Sequence, residues 1–116
     1  MNYEIRPVTL DEFKTYGRAA GTAFSEQPSD DDFDGWRLTF EPERSLAAFD
    51  EGEIVGTAGA FTFDLTLPGL TTIPVAGVTA VGVLPTHRRR GILTAMMRRQ
   101  LDDVRARGEA VAVLMA

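Results

Sequence analysis

The chain has 116 residues, 44% of them hydrophobic and 25% charged, which suits one globular domain with a modest core. It has no cysteine, which excludes disulfides, thiolate nucleophiles and cysteine-bound zinc and makes a cytoplasmic setting the default expectation. A net charge of −5 and an isoelectric point near 4.8 argue against nucleic acid as the main partner, and no apolar run is long enough to span a bilayer.

In chain order, Tyr3 to Arg6 reads as a short strand halted by Pro7. Val8 and Thr9 then open a helix: Thr9 with Glu12 makes a capping box, and Val8 with Phe13 matches a hydrophobic staple. Phe13, Tyr16, Ala20 and Phe24 recur at helical spacing and mark its buried face. The polar stretch from Ser25 to Asp34 follows, and Ser29 or Asp30 can cap a second short helix running through Trp36 and Leu38. Its carboxylates Asp30, Asp31, Asp32 and Asp34 suit either a cationic substrate or the positive end of the helix; the dipole alone accounts for them. Trp36, the only tryptophan, suits a substrate-pocket wall and a core anchor equally.

Leu46 to Phe49, the turn Asp50-Glu51-Gly52 and Ile54 to Leu65 read as a hairpin. One face of its second strand is bulky (Val55, Thr57, Phe61, Phe63, Leu65). The other is thin (Gly56, Ala58, Ala60, Thr62) and suits close packing against a helix.

Ile73 to Ala116 organises the rest. It reads as a strand (Val75 to Val83), a loop (Leu84 to His87), an arginine turn (Arg88-Arg89-Arg90-Gly91), a helix (Ile92 to Arg107) and a strand (Ala110 to Met115). A crossover of this length joins parallel strands, so the fold class is mixed α/β (α+β), a central sheet with helices on both faces. Gly82 predicts a bulge near the end of the first strand, opening a gap whose unpaired backbone groups an amide-containing ligand can satisfy.

The turn after it combines a helix N-terminus, three guanidinium groups and a glycine that lets a bulky anion approach, which points to a phosphate or pyrophosphate. A helix terminus and a few charged hydrogen bonds give about 0.3–2 and 1.5–3 kcal/mol each, against about 8 kcal/mol for micromolar affinity. The rest of such a ligand must therefore lie along the protein. Gly-x-x-x-x-Gly-Lys is absent, so the turn is not a P-loop. His87, the only histidine, reads as a surface loop residue, because no carboxylate near it in sequence is placed to orient it. Leu93, Met96, Met97, Leu101 and Val104 form the helix's apolar face, and Gly108 is its expected C′ residue.

The run Val81 to Leu93 resembles the acyl-coenzyme A signature of the GNAT N-acetyltransferase superfamily, Gln/Arg-x-x-Gly-x-Gly/Ala, here Arg88-x-x-Gly91-x-Leu93. Leu93 departs from the general motif, but Pro85-Thr86-His87-Arg88-Arg89-Arg90-Gly91-x-Leu93 resembles the Eis (enhanced intracellular survival) branch, and weaker similarity runs back through Leu67-Pro68-Gly69 to Trp36.

The resemblance implies acetyl-CoA as cosubstrate, with the pyrophosphate on the N–H groups of Arg89, Arg90, Gly91, Ile92, Leu93 and Thr94, and Arg88 beside it. The pantetheine arm then runs along Val81, Gly82 and Val83, and no metal is involved. An amine acceptor, a small polyamine or aminoglycoside-like molecule or a lysine, attacks the thioester directly, with Trp36, Phe24 and Asp30 as candidate pocket residues. In Eis-type enzymes the acid is a tyrosine beyond the fifth strand, acting with the C-terminal carboxylate. Tyr3 and Tyr16, in the first strand and first helix, do not match it, so the acid is expected beyond Ala116. By the same resemblance the chain is expected to be one acetyltransferase domain cut after its fifth strand, not competent alone, from a protein that forms homo-oligomers. A non-catalytic acyl-CoA-sensing domain is the alternative, and docking of a phosphorylated or nucleic-acid partner on the arginines fits the acidic balance least.

Overall fold

The computed structural model describes residues 3–114. Five strands form one sheet in the order β1-β2-β3-β4-β5: β1 Glu4–Pro7, β2 Ser45–Asp50, β3 Glu53–Thr66, β4 Thr72–Val83 and β5 Val111–Leu114. The first four are antiparallel neighbours, and β5 joins β4 in parallel through the crossover helix α3, Ile92–Ala106. Helix α1, Phe13–Ala23, packs on the opposite face, and α2, Asp30–Arg37, lies against α1. The mixed α/β reading therefore holds, with β4 and β5 as the parallel pair. Met115, expected in the last strand, lies outside the described residues.

Strand β2 shows why helices cover both faces. Leu46 and Ala48 point into a cluster with Ile92 and Met96 of α3, while Ala47 and Phe49 point into a second cluster with Val8 and Tyr16 on the α1 side. This period-two division needs apolar residues at every position from Leu46 to Phe49, as the sequence has. The thin face of β3 lies on α3 as expected: a Cβ on Gly56 would stand 2.9 Å from the Met96 methyl. Each such buried side chain contributes about 1.5–3 kcal/mol, so the two clusters are the main source of cohesion.

Helix α1 is entered through a 3₁₀ turn, Leu10–Glu12, in which the Thr9 N–H donates to Glu12 Oε1 at 2.9 Å. Ser29 caps α2 reciprocally with Asp32, at 2.8 and 3.2 Å. Leu38, expected to extend that helix's apolar side, is exposed beyond its end.

Two readings are corrected. The bulge in β4 falls at Ala80 and Val81, not Gly82: Thr57 and Gly59 pair with Gly82 and Thr79, which leaves one extra residue on β4. Ala80 takes a left-handed φ of 53°, and its carbonyl accepts the Thr57 hydroxyl at 2.6 Å. Gly82 instead admits α1, since a Cβ there would meet the Ala23 Cβ at 2.8 Å.

The buried face of α3 is Ile92, Met96, Gln100 and Val104, whereas Leu93 and Leu101 are about half exposed. Gln100 holds a core position because its Nε2 donates at 3.0 Å to the Gly59 carbonyl, next to the bulge. On the outer side of α3, Arg107 donates to Asp103, an i,i+4 pair at 2.8 Å, while Arg99 donates to the Ile5 carbonyl.

Candidate functional site

Among the described residues β5 pairs with β4 only from Val75 to Val78. Strand β4 runs on through Thr79, Ala80, Val81, Gly82 and Val83 with β3 on one side alone. The bulge at Ala80 follows directly on the stretch of β4 that is paired with β5, just before the loop to α3.

The loop continues as a 3₁₀ turn, Pro85–His87, and the arginine turn. Gly91 is the N-cap residue of α3 with φ 78°, and nothing stands within 4 Å of where its Cβ would be. The first intrahelical donor is the Ala95 N–H, to the Gly91 carbonyl at 3.1 Å, so the N–H groups of Ile92, Leu93 and Thr94 have no acceptor within the helix. The first turn carries no acid and no side-chain cap. Helix α2 is the opposite case: Asp30, Asp31 and Asp32 crowd its first turn and Ser29 caps it. The dipole of α2 is met by its own first turn, whereas the first turn of α3 offers nothing of the kind, the arrangement that suits an anion at a helix N-terminus.

The three arginines do not act alike. Arg88 donates from Nε to the Val83 carbonyl at 3.3 Å and from Nη2 to the Ala23 carbonyl at 3.4 Å, tying the loop to the end of α1. Arg90 donates to the Tyr3 hydroxyl at 3.0 Å. Arg89 has no side-chain hydrogen bond among the described residues and sits at a left-handed φ of 64°. Backbone held there by a non-glycine residue costs about 1–3 kcal/mol and recurs at ligand clamps.

His87 departs from the sequence reading. Its Nε2 lies 2.8 Å from Asp50 Oδ2 at the end of β2, and its Nδ1 lies 2.7 Å from the Thr86 hydroxyl. The orienting carboxylate comes from 37 positions away, beyond any local pattern. With the Nε2–H tautomer both contacts are satisfied, so the ring anchors the loop rather than offering a free base.

On the α1 side, at Thr79 and Ala80, a cavity of about 300 Å³ opens between α1 and the sheet. Phe13, Tyr16, Phe24, Trp36, Phe40 and Phe61 supply its aromatic lining, and Glu26 and Glu41 its charged groups. Trp36 is part exposed at the wall, edge-on to Phe33 at 5.6 Å. Phe24, which periodicity assigns to the core, is 55% exposed: as the C-cap residue of α1 it lies past the last buried turn and lines the cavity instead. Asp30 is exposed on α2 and does not line the cavity. Glu26 and Glu41, in connecting segments without a recognisable motif, were not legible in the sequence.

Fold and site define a class: an α/β domain whose crossover helix joins a parallel strand pair and starts, behind an arginine turn, at an acid-free N-terminus. The chain belongs to the GNAT acetyltransferase family, since the family model described as "Acetyltransferase (GNAT) domain" matches residues 4–116. An uncharacterized N-acetyltransferase of Streptomyces coelicolor is 43% identical over 121 residues, covering 100% of this chain and 29% of that protein. The N-acetyltransferase Eis of Mycobacterium tuberculosis is 31% identical over 112 residues, covering 93% and 28%.

Among solved structures, Eis1 from Mycobacterium abscessus superimposes with a TM-score of 0.84 at 42% identity, covering 97% of this chain and 28% of that one. A predicted acetyltransferase of Clostridium acetobutylicum, solved with acetyl-CoA, shares the fold with a TM-score of 0.81 at 18% identity, covering 99% and 81%. The chain thus spans less than a third of the length of the Streptomyces and Mycobacterium proteins it matches.

Proposed function

We propose that the protein is an acetyl-CoA-dependent N-acetyltransferase whose acceptor is a primary amine. The observation that carries this reading is the N-terminus of α3: Gly91 caps it at φ 78° with open space beside it, its first turn holds no acid, and it ends the loop that leaves β4 just past the bulge at Ala80. An extended amide-bearing arm lies along Val81, Gly82 and Val83, and the pyrophosphate meets the N–H groups from Arg89 to Thr94, with Arg89 as its side-chain partner. Arg88 and Arg90 hold the loop in place. Family membership and the acetyl-CoA complex of the Clostridium protein, similar in fold, support the same cosubstrate.

The cavity beside the bulge receives the acceptor. Its aromatic walls and the carboxylates of Glu26 and Glu41 suit a cation with an apolar or polyhydroxylated body, and attract no anion. The neutral amine attacks the thioester carbonyl: a C–N bond forms, the C–S bond breaks, the nitrogen loses a proton and the thiolate gains one. The residues of this chain bind and orient the two partners, which is where an effective-concentration advantage arises. A polyamine, an aminoglycoside-like molecule or a lysine side chain each fit these walls. The reading carries with it a cytoplasmic setting, argued from the lack of cysteine.

The test is release of coenzyme A by the full-length protein from acetyl-CoA with kanamycin, 1,4-diaminobutane, n-butylamine and Nα-acetyl-lysine. Turnover that Gly91→Asp abolishes supports the proposal. Binding of acetyl-CoA without turnover of any amine leaves an acyl-CoA-sensing domain instead, and absence of both defeats it.

A further inference from the structure

Tyr16 is 95% buried in the middle of α1, yet its hydroxyl has no hydrogen-bond partner among the described residues. The neighbouring Ser45 hydroxyl commits its own proton to the Glu41 carbonyl at 2.8 Å. A buried orphan hydroxyl costs about 1–3 kcal/mol, so an unpaired one calls for an explanation. Its position offers one. The ring lines the aromatic cavity, and its oxygen lies against β3 at Gly59, the partner of Thr79 beside the bulge. A Cβ at Gly59 would stand only 2.9 Å from that oxygen, so the glycine leaves the room the hydroxyl occupies. Gly59, Thr79 and Ala80 line the same cavity.

Phe13, Phe40 and Phe61, which line the same cavity, offer no hydrogen bond of their own, and the Ala80 carbonyl is taken by Thr57. Burial pushes the Tyr16 phenol above its usual range, with Ser45 opposing, so it stays a neutral donor and acceptor and does not act as a base. Thr79 is two residues, roughly 7 Å, from Val81 along the strand. An amine reacting near Val81 therefore projects the rest of its body past the hydroxyl.

We infer that the Tyr16 hydroxyl is a specificity-determining group: it hydrogen-bonds a second polar group of the acceptor, an amine or a hydroxyl, and so selects polyfunctional amines over plain alkylamines. This rests on the cavity being the acceptor site, as proposed above. A site that presents a buried polar group to its substrate rejects the analogue lacking the complementary group, because that polar group is then left unpaired.

The experiment compares kcat/KM for 1,4-diaminobutane and n-butylamine in the full-length protein, its Tyr16→Phe variant and its Gly59→Ala variant, with acetyl-CoA KM and thermal midpoint as controls. The expected result is a parental preference for the diamine that falls about tenfold in Tyr16→Phe. Acetyl-CoA KM should be unchanged, and the midpoint equal or higher because an orphan hydroxyl has gone. Gly59→Ala, which crowds the hydroxyl from the opposite strand, should lose preference in the same direction. A preference unchanged in Tyr16→Phe, or absent from a parental protein that does acetylate amines, overturns this inference alone. So does a lowered midpoint with the preference intact, which marks the hydroxyl as structural. No turnover of any amine overturns the acceptor-site reading and this inference together.

Discussion

Arg88, Arg89 and Arg90 are neighbours in sequence, but their guanidinium groups meet different partners, and that difference predicts different phenotypes. Arg89→Ala removes the one of the three that is not engaged within the fold. At about 1.5–3 kcal/mol per charged hydrogen bond, it should weaken acetyl-CoA binding by ten- to a hundredfold, roughly, with little change in thermal midpoint. Arg90→Ala should shift affinity much less, since it removes an exposed contact with Tyr3. Equal losses in the two variants, measured by titration, would contradict the division of labour.

Glu12 supplies a pH-dependent term. Its carboxylate accepts two bonds from Arg6 at 2.9 Å and one from the Thr9 N–H, and these, Arg6 first, hold its pKa down to about 2 from an ordinary 4.5. A depressed acid favours the fold where it is ionised. Its contribution is therefore complete above about pH 4.5 and is lost as the pH falls towards 2. Urea unfolding midpoints across that window should fall less steeply in Glu12→Gln than in the parent.

At the scale of elements, the start of β2 and the start of β5 are clamped by a buried ion pair. Arg44 donates twice to Glu109, at 2.9 and 2.6 Å, and once to the Thr62 hydroxyl at 3.0 Å, with side chains 1% and 3% exposed. Removing one partner strands a buried charge, so Glu109→Gln and Arg44→Ala should each cost about 3–5 kcal/mol in chemical unfolding. Arg44→Met with Glu109→Leu should recover much of the loss; a double variant no better than the singles would show that the pair itself holds the strands. Gly82→Val should cost about 1–3 kcal/mol by driving α1 off β4, read in the same unfolding assay.

These elements also show what the sequence discloses and what it hides. Capping chemistry and period-two alternation act within a few residues, so β1, the capped starts of α1 and α2, the β2–β3 hairpin and the crossover were legible, as was the arginine turn. Contacts distant in sequence were not: the Arg44–Glu109 pair spans 65 positions and His87–Asp50 spans 37. The bulge was misplaced by the same cause. Glycine in a strand marks either a bulge or a close approach, and only the position of Ala23 shows that Gly82 serves the second while Ala80 bears the strain. Gln100 in the core face of α3 depended on that bulge as well.

At the scale of the whole molecule, an aromatic cavity and a helix N-terminus lie around one irregular strand. Residues Val75 to Val78 of β4 pair on both sides and anchor it; the stretch from Thr79 to Val83 carries the bulge against β3. The cavity and the helix N-terminus lie at either end of that bulged stretch. The most direct measurement is calorimetric titration of the full-length protein with acetyl-CoA, dephospho-CoA and free pantetheine, repeated on Gly91→Asp. The account predicts that acetyl-CoA and dephospho-CoA, which share the pyrophosphate, bind much more tightly than pantetheine, and that the added carboxylate at the helix N-terminus removes the advantage. Pantetheine binding as tightly as acetyl-CoA, or Gly91→Asp binding as the parent does, would contradict it.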